Sequence, residues 1–305
     1  MMTPPRHLTG IAPLSRTEIE SLLDRARRFA EMLGNGAAIP KTLADKIVIT
    51  MFFEASTRTL TSFQMAALKL GASVINWDIE NSSLKKNETF LDTVLTLGAM
   101  RPDAVIVRHS EYGAPDFMAA RMDCPVINAG DSWREHPTQA LLDALTILQA
   151  KGTIEGLTIT ICGDVAHSRV ASSNLILLSR LGAKLRVIAP AFLMPQKFSV
   201  PAETFTSMEQ GLPGSDIVMM LRNQKERMEA GRIPDDAAFF RDYGLTGDRL
   251  DLAGPQALVM HPGPMNRNVE IADDIADDPA RSLILKQVAN GIPARMAVLD
   301  YAVNG

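Results

Sequence analysis

The chain has 305 residues, 46% of them hydrophobic, and carries a formal net charge of −4. That length accommodates two domains at roughly 100–200 residues each, and the apolar content is ample for two cores. The acidic balance excludes a general basic field of the kind that binds nucleic acid, so any anion site must be local. In chain order, Ser15 to Leu33 reads as an amphipathic helix: Ile19, Leu22, Leu23, Ala26, Phe29, Ala30 and Leu33 form one stripe. Ser15 and Glu18 have capping-box spacing, and Gly34-Asn35-Gly36 ends the helix. Ile47 to Phe53 is a short apolar run rich in β-branched and aromatic residues, which predicts a buried parallel strand. A helix follows it, with Leu60, Phe63, Ala67 and Leu70 at helical spacing and Gly71 at its end.

Strands are then expected at 73–77, 103–108 and 125–128, with a polar loop over 78–87. Helices are expected over about 88–100 and from His136 towards Ala150. Lys151 to Gly156 reads as the crossing to a second domain, which opens with a strand over 157–163 and a helix from Ser168 to Leu181. Further strands are predicted at 184–189, 216–221 and 257–260, and a last helical segment over about 280–303, interrupted near Gly291-Ile292-Pro293. Strand and helix alternate throughout. The fold class is therefore α/β, with two doubly wound parallel-sheet domains.

Cys124 and Cys162 lie far apart with no CxxC pattern, which argues against a disulfide framework or a zinc site and reads as two buried small hydrophobes. The N-terminus lacks the apolar core of a signal peptide, and no apolar run approaches the ~20 residues that span a bilayer. No membrane association is expected, and the cytoplasm is the expected compartment.

In open parallel sheets, ligands bind beyond the carboxyl ends of the strands, so polar residues just after a strand are the informative ones. Such places are Ser56-Thr57-Arg58-Thr59, Arg108-His109, His136-Pro137-Thr138-Gln139, Asp164 to Arg169, Arg222-Asn223-Gln224 and His261-Pro262-Gly263-Pro264. The first combines three hydroxyls and a guanidinium with a helix N-terminus, where free N–H groups and the dipole favour an anion, most plausibly phosphate. Capping by Ser56 and Thr57 beside a solvated Arg58 is the plainer alternative. Four of the six places supply an arginine, which suits substrates with several negative charges. Arg108 could instead pair with an acidic neighbour, and His261 reads as a residue that orients backbone. His109 and His167 are weaker candidates and His7 reads as solvated. No two histidines or cysteines have metal-ligand spacing, so neither a metal nor another cofactor is expected.

Taken together these blocks resemble the aspartate and ornithine carbamoyltransferase family across nearly the whole chain. The matching stretches are Ser56-Thr57-Arg58-Thr59, His136-Pro137-Thr138-Gln139, Gly163-Asp164 with His167-Ser168-Arg169-Val170, Arg222 with Gln224-Lys225-Glu226-Arg227, and His261-Pro262-Gly263-Pro264. Ornithine enzymes typically have Cys at the place of Thr138 and His-Cys-Leu-Pro at the last block, so the resemblance points to aspartate. It implies a carbamoyl-phosphate domain over 1–150, an aspartate domain over 151–284, a terminal helix over about 285–305 that packs back on the first, and an active site in the cleft between the domains. It also implies the ligand contacts. Ser56, Thr57, Arg58, Thr59 and Arg108 would hold the phosphate; Arg58, Thr59 and His136 the carbonyl oxygen; Gln139 the carbamoyl NH2. Arg169 and Arg222, supported by Gln224, would take the aspartate carboxylates. Backbone carbonyls near Gly263 and Pro264 would accept from the carbamoyl group or the amine.

Asn81 to Thr89 resembles the family's loop that enters a neighbouring subunit's site, with Lys86 at the position of its lysine and Ser82, or Ser83, at that of its serine. A homotrimer with shared sites follows from the resemblance, while regulatory or dihydroorotase-like subunits stay open as partners. Two positions depart from the pattern, Asn87 and Ser132, where glycine is usual. Rival readings are a carbamoyltransferase for another amine, a dinucleotide-binding oxidoreductase built on Ile161-Cys162-Gly163-Asp164, which lacks GxGxxG, and a non-catalytic scaffold.

Overall fold

A computed structural model describes residues 6–79, 88–224 and 235–305. It divides into two compact units, Met1–Leu145 with Asn290–Gly305, and Thr146–Ala289. The first unit contains α1 (Arg16–Gly34), β1 (Ile47–Phe52), α2 (Thr57–Lys69), β2 (Ser73–Trp77), α3 (Phe90–Ala99), β3 (Ala104–His109), α4 (Ala114–Ala119), β4 (Val126–Asp131) and the start of α5 (Pro137–Lys151). Its sheet is wholly parallel, in the order β2-β1-β3-β4. The chain runs from β1 out to β2 and then returns to the other side of β1 for β3. The winding direction therefore reverses between β1 and β3, which is where such sheets open a crevice at the carboxyl ends.

Every residue of β3 and β4 is buried, as a parallel sheet covered on both faces requires, whereas edge strand β2 is largely exposed. α1 begins with the expected capping box between Ser15 and Glu18 and buries Ile19, Leu22, Leu23, Ala26 and Phe29. Its outer side meets the C-terminal helix through Arg25–Asp300 at 2.7 Å and Tyr301 to Glu18 at 3.1 Å. A strap over residues 7–12 runs beside β4: Leu8 N–H donates to Val126 O at 2.9 Å, and Asn128 N–H to Leu8 O at 2.8 Å. Beyond β3, His109 packs between Phe53 and Phe90, with ring centroids 4.4 and 5.0 Å away. Its Nδ1 accepts from Glu111 N–H at 2.9 Å.

The second unit contains β5 (Thr158–Cys162), α6 (Arg169–Arg180), β6 (Lys184–Ile188), β7 (Glu203–Phe205), α7 (Met208–Gly211), β8 (Ile217–Met220), α8 (Asp236–Tyr243), α9 (Gly247–Ala253), β9 (Leu258–Met260) and α10 (Asp273–Ala276). Its parallel sheet has the order β7-β6-β5-β8-β9, so the reversal falls between β5 and β8. The core gathers Cys162, Ile188, Met208, Val218, Met220, Leu250, Val259 and Ile271. Both cysteines are buried free thiols.

The last helix, α11 (Ile284–Asn304), corrects the expected interruption: it continues through Pro293. The proline removes one donor and crowds one carbonyl, a cost of about 3 kcal/mol in an exposed helix. Burial of Ala294 and of Met296 to Leu299 beyond it offsets that cost, because tertiary packing rather than propensity holds most helices. No described helix is long and apolar enough to cross a membrane.

Two predictions follow from this architecture. Gly163, just after β5, has φ +116°, and a Cβ there would lie 2.5 Å from Leu221 O. Gly163→Ala should therefore cost about 2–3 kcal/mol, read as a lower urea midpoint at unchanged slope. Burial lowers the His109 pKa from 6.5 against the opposing pull of Glu111 and Glu54. The unfolded chain takes up a proton that folded His109 refuses, so stability is full above pH 6.5 and falls as the pH drops below it. His109→Asn, which keeps an acceptor for Glu111 N–H, should show a shallower loss of urea midpoint between pH 7.5 and 5.5.

Candidate active site

In the first unit, the carboxyl ends of β1, β3 and β4 carry three of the predicted groups. After β1 the chain turns into α2, whose first residues are Thr57, Arg58 and Thr59. Ser56 occupies the N-cap position, yet its side chain makes no capping bond. The plain capping alternative therefore does not describe it, and the hydroxyl is left for another partner. Arg58 is exposed and makes no hydrogen bond or ion pair with a described residue, and no acidic residue occupies the first turn of α2. A cation at the positive end of a helix dipole is unfavourable by about 0.3–1 kcal/mol unless an anion lies between.

At the end of the neighbouring strand β3, Arg108 is buried and donates to Glu54 Oε1 at 2.5 Å and to Ala129 O at 3.4 Å. The acidic partner foreseen for Arg108 is thus real, but it comes from the loop after β1 and fixes the guanidinium beside that loop. After β4, the strand turns through Ser132 to His136, whose carbonyl accepts from Gln139 N–H at 3.0 Å and Ala140 N–H at 3.3 Å, opening α5. Ser132 sits at φ +48°, so the departure from glycine places a side chain in a left-handed conformation at a cost of about 1 kcal/mol. Glu135 accepts from Ile11 N–H at 2.6 Å and Ala12 N–H at 3.3 Å, tying the strap to the residue before His136.

Within α5, Gln139 Nε2 donates to Asp143 Oδ1 at 2.9 Å. A carboxylate only accepts, so the amide faces it with NH2 and keeps its carbonyl oxygen for an N–H from elsewhere. The Thr138 hydroxyl is fully buried and has no hydrogen-bond partner among the described residues, so this position distinguishes the sequence without showing a polar role.

In the second unit, β5, β8 and β9 end in the other predicted groups. Ser168 caps α6 by accepting from Ala171 N–H at 3.2 Å, which makes buried Arg169 the first residue of that helix. Asp164, fully buried, holds the two loops together: Oδ1 faces His167 Nδ1 at 2.7 Å, and Oδ2 accepts from Gln224 N–H at 3.0 Å. Gln224 Nε2 donates to His167 O at 2.8 Å. Arg222 is half-buried at the end of β8, with Nη1 3.4 Å from Asn223 O. Asn223 beside it is buried with neither amide atom paired among the described residues.

After β9, the His261 ring is buried. Its Nδ1 accepts from Gly263 N–H at 2.9 Å, so Nε2 carries the proton towards Glu270 Oε1 at 3.1 Å. The imidazole is engaged within the fold and shapes the Pro262-Gly263-Pro264 turn, in which the Gly263–Pro264 peptide is cis. That is the backbone-orienting role the sequence favoured.

Ser82, Ser83, Lys86 and Asn87 lie outside the described residues, as do Lys225, Glu226 and Arg227. Among the described residues no group of three or more His, Cys, Asp or Glu could hold a metal ion. Sequence reasoning passed over Glu54, Asp143 and Glu270, and gave Asp164 no role. The one available signal was spacing, since Asp143 is four residues beyond Gln139 on a helix.

Residues 6–149 match the family model described as aspartate/ornithine carbamoyltransferase, carbamoyl-P binding domain, and residues 155–302 match its Asp/Orn binding domain. The aspartate carbamoyltransferase catalytic subunit of Methylorubrum populi is 56% identical over 300 residues, covering 97% of this chain and 94% of that one. Among solved structures, aspartate transcarbamoylase from Trypanosoma cruzi in complex with carbamoyl aspartate and phosphate is similar at a TM-score of 0.89 and 32% identity, covering 98% and 96% of the two chains. The catalytic subunit of M. Jannaschii aspartate transcarbamoylase is similar at a TM-score of 0.85 and 31% identity, covering 97% of each chain. The chain belongs to the aspartate/ornithine carbamoyltransferase family.

Proposed function

We infer that the chain is an aspartate carbamoyltransferase, which moves the carbamoyl group of carbamoyl phosphate to the α-amine of L-aspartate and releases N-carbamoyl-L-aspartate and phosphate, a step of pyrimidine synthesis. The observation that carries this reading is the uncommitted Arg58 guanidinium and unused Ser56 hydroxyl at the N-terminus of α2, beside buried Arg108 at the end of β3. In this reading the first unit holds carbamoyl phosphate. Ser56, Thr57, Arg58, Thr59 and Arg108 take the phosphate, while Arg58, Thr59 and His136 polarise the carbonyl. Gln139 accepts from the NH2. The second unit holds aspartate, with a carboxylate on each of Arg169 and Arg222, an arrangement that would repel the cationic side chain of ornithine. Gln224, expected beside Arg222 on a carboxylate, already donates its NH2 to His167 O at 2.8 Å, so its carbonyl oxygen is assigned instead to the aspartate amine. Backbone carbonyls at Gly263 and Pro264 take the same kind of donor.

Chemically, the amine attacks the carbonyl carbon, charge builds on the carbonyl oxygen, and the C–O bond to phosphate breaks as phosphate departs. Hydrogen-bond donors preorganised around that oxygen are worth about 3 kcal/mol each. The leaving phosphate takes the amine proton.

The assembly proposed is a homotrimer in which Ser82 and Lys86 of one copy complete the site of the next. Exposed Ile75 on edge strand β2, Met65 and Leu68 on α2, and Leu91 and Leu95 on α3 support burial against another copy. The cytoplasm is the compartment proposed, in keeping with two free thiols.

Phosphate release from carbamoyl phosphate should depend on L-aspartate, with L-ornithine inactive. Equal stimulation by both amines would remove the aspartate assignment. Arg58→Ala should lower kcat/KM by about a hundredfold or more, the scale of one lost oxyanion donor. A value within twofold of wild type would take Arg58 out of the site. Chains carrying Lys86→Ala and chains carrying Arg58→Ala, each inactive alone, should regain activity in mixed trimers. Hybrids shown to form but still inactive would rule out a shared site.

A further inference from the structure

The first unit buries two opposite charges, Asp143 and Arg295, that the proposed reaction does not itself use. Arg295 lies on α11 and is almost fully buried. Its guanidinium carbon is 5.0 Å from the centroid of the Phe63 ring, on the inward face of α2 one turn beyond Thr59. Nη1 donates to Gly291 O at 3.0 Å, and Nε has no hydrogen-bond partner among the described residues. Gly291 brings α11 close to α5: a Cβ there would be 2.7 Å from Arg295 Nη1 and 3.8 Å from Leu142 Cδ2. Burial lowers the Arg295 pKa to about 10, so the group is still charged at neutral pH. The charges that act on it are Asp143, which attracts it, and Arg108, which repels it. A cation this deeply buried costs several kcal/mol, and its electrostatic partner here is the carboxylate that receives Gln139.

We propose that Asp143, backed by the Arg295 charge, is a positioning residue that locks the Gln139 amide with its carbonyl oxygen turned outward, so that the pocket reads the NH2 of carbamoyl phosphate. The proposal rests on the carbamoyl-phosphate reading above and adds how that ligand is told from other acyl phosphates. A glutamine is ambiguous by itself, because rotating its terminal amide by half a turn exchanges acceptor for donors. An outward carbonyl rewards a ligand bearing NH2 at the carbonyl carbon. An outward NH2 would meet that NH2 donor to donor. Asp143 removes the ambiguity because a carboxylate has nothing to donate, and Arg295 supplies the opposite charge that makes a buried carboxylate tenable. The same guanidinium stacks on the helix that begins at Ser56, so one buried cation stands behind both helices that present the ligand-binding residues of this unit.

The test compares carbamoyl phosphate with acetyl phosphate, in which a methyl group replaces NH2, and with inorganic phosphate. The wild type should bind carbamoyl phosphate about tenfold or more tightly than acetyl phosphate, the discrimination expected of a site that pairs one NH2 group. Asp143→Asn offers Gln139 either a donor or an acceptor at nearly the same volume. It should cut that preference at least about fivefold by weakening carbamoyl phosphate, with inorganic phosphate and acetyl phosphate within twofold of wild type. Arg295→Met should move the preference the same way. In Gln139→Met the preference should already be lost, and adding Asp143→Asn should change it no further. An unchanged preference in Asp143→Asn, or an equal weakening of all three ligands, overturns the positioning role. A wild type that fails to bind carbamoyl phosphate overturns the functional reading instead, so the two failures are distinct.

Discussion

Two helices in this protein begin with an arginine at the end where a positive charge is least welcome. Arg58 is the second residue of α2 and Arg169 the first of α6, each at the positive end of its helix dipole. Left alone, each arrangement raises the free energy of the fold by a few tenths of a kcal/mol to about 1 kcal/mol. With an anion between guanidinium and helix end, the same charges attract from both sides. Both helices follow strands that border a reversal in sheet winding, β1 in one unit and β5 in the other. Placement of cations there ties the fold to ligands that carry negative charge on more than one group.

Acidic residues then decide where these cations and amides point. Glu54 holds Arg108, Asp143 holds Gln139, Asp164 gathers His167 and Gln224, and Glu270 faces His261. Each carboxylate only accepts, so each fixes the donor end of its partner and leaves the opposite end for something else. None of these acids falls inside a tetrapeptide that advertises phosphate chemistry. Their role depends on a partner that is distant in sequence, as for Glu54 with Arg108 and Asp164 with Gln224, or on the register of one helical turn, as for Asp143.

Much of the fold was legible because parallel strands buried on both faces announce themselves as unbroken apolar runs. Val105-Ile106-Val107 is such a run and Ile159 to Cys162 is broken only by the buried Thr160; both belong to core strands. β7 was not legible: its three residues lie at an exposed edge, where alternation and apolarity both fade. α8 and α9 bury few side chains and so left little periodic signal. At Pro293 local preference argued for a break, and packing along α11 overruled it. Residues bearing guanidinium, imidazole and amide groups were read from their places after strands. Their hydrogen-bond directions were not, because direction is set by neighbours such as Asp143 and Glu54 that only the tertiary fold supplies.

Those directions also bear on where a proton goes during transfer. The amine of aspartate must lose one as its new bond to carbon forms, and a side-chain base would need an acceptor free to take it. Glu54, Asp143 and Asp164 each already face a protein donor, and His261 has its Nδ1 occupied by Gly263 N–H. In the proposed site the arginines and Lys86 are already protonated, and the hydroxyls and the carbonyl ends of glutamines are not basic enough to hold the proton near neutral pH. His136 is assigned to the carbonyl oxygen rather than to the amine. The departing phosphate is basic enough. As its C–O bond lengthens, negative charge grows on an oxygen held close by Arg58 and Arg108 in the proposed site, and its basicity rises as that of the ammonium falls. The proposed set of ligand contacts, rich in fixed donors and poor in free carboxylates, thus assigns the proton to the leaving group, which the same set holds with the cations that first attract it.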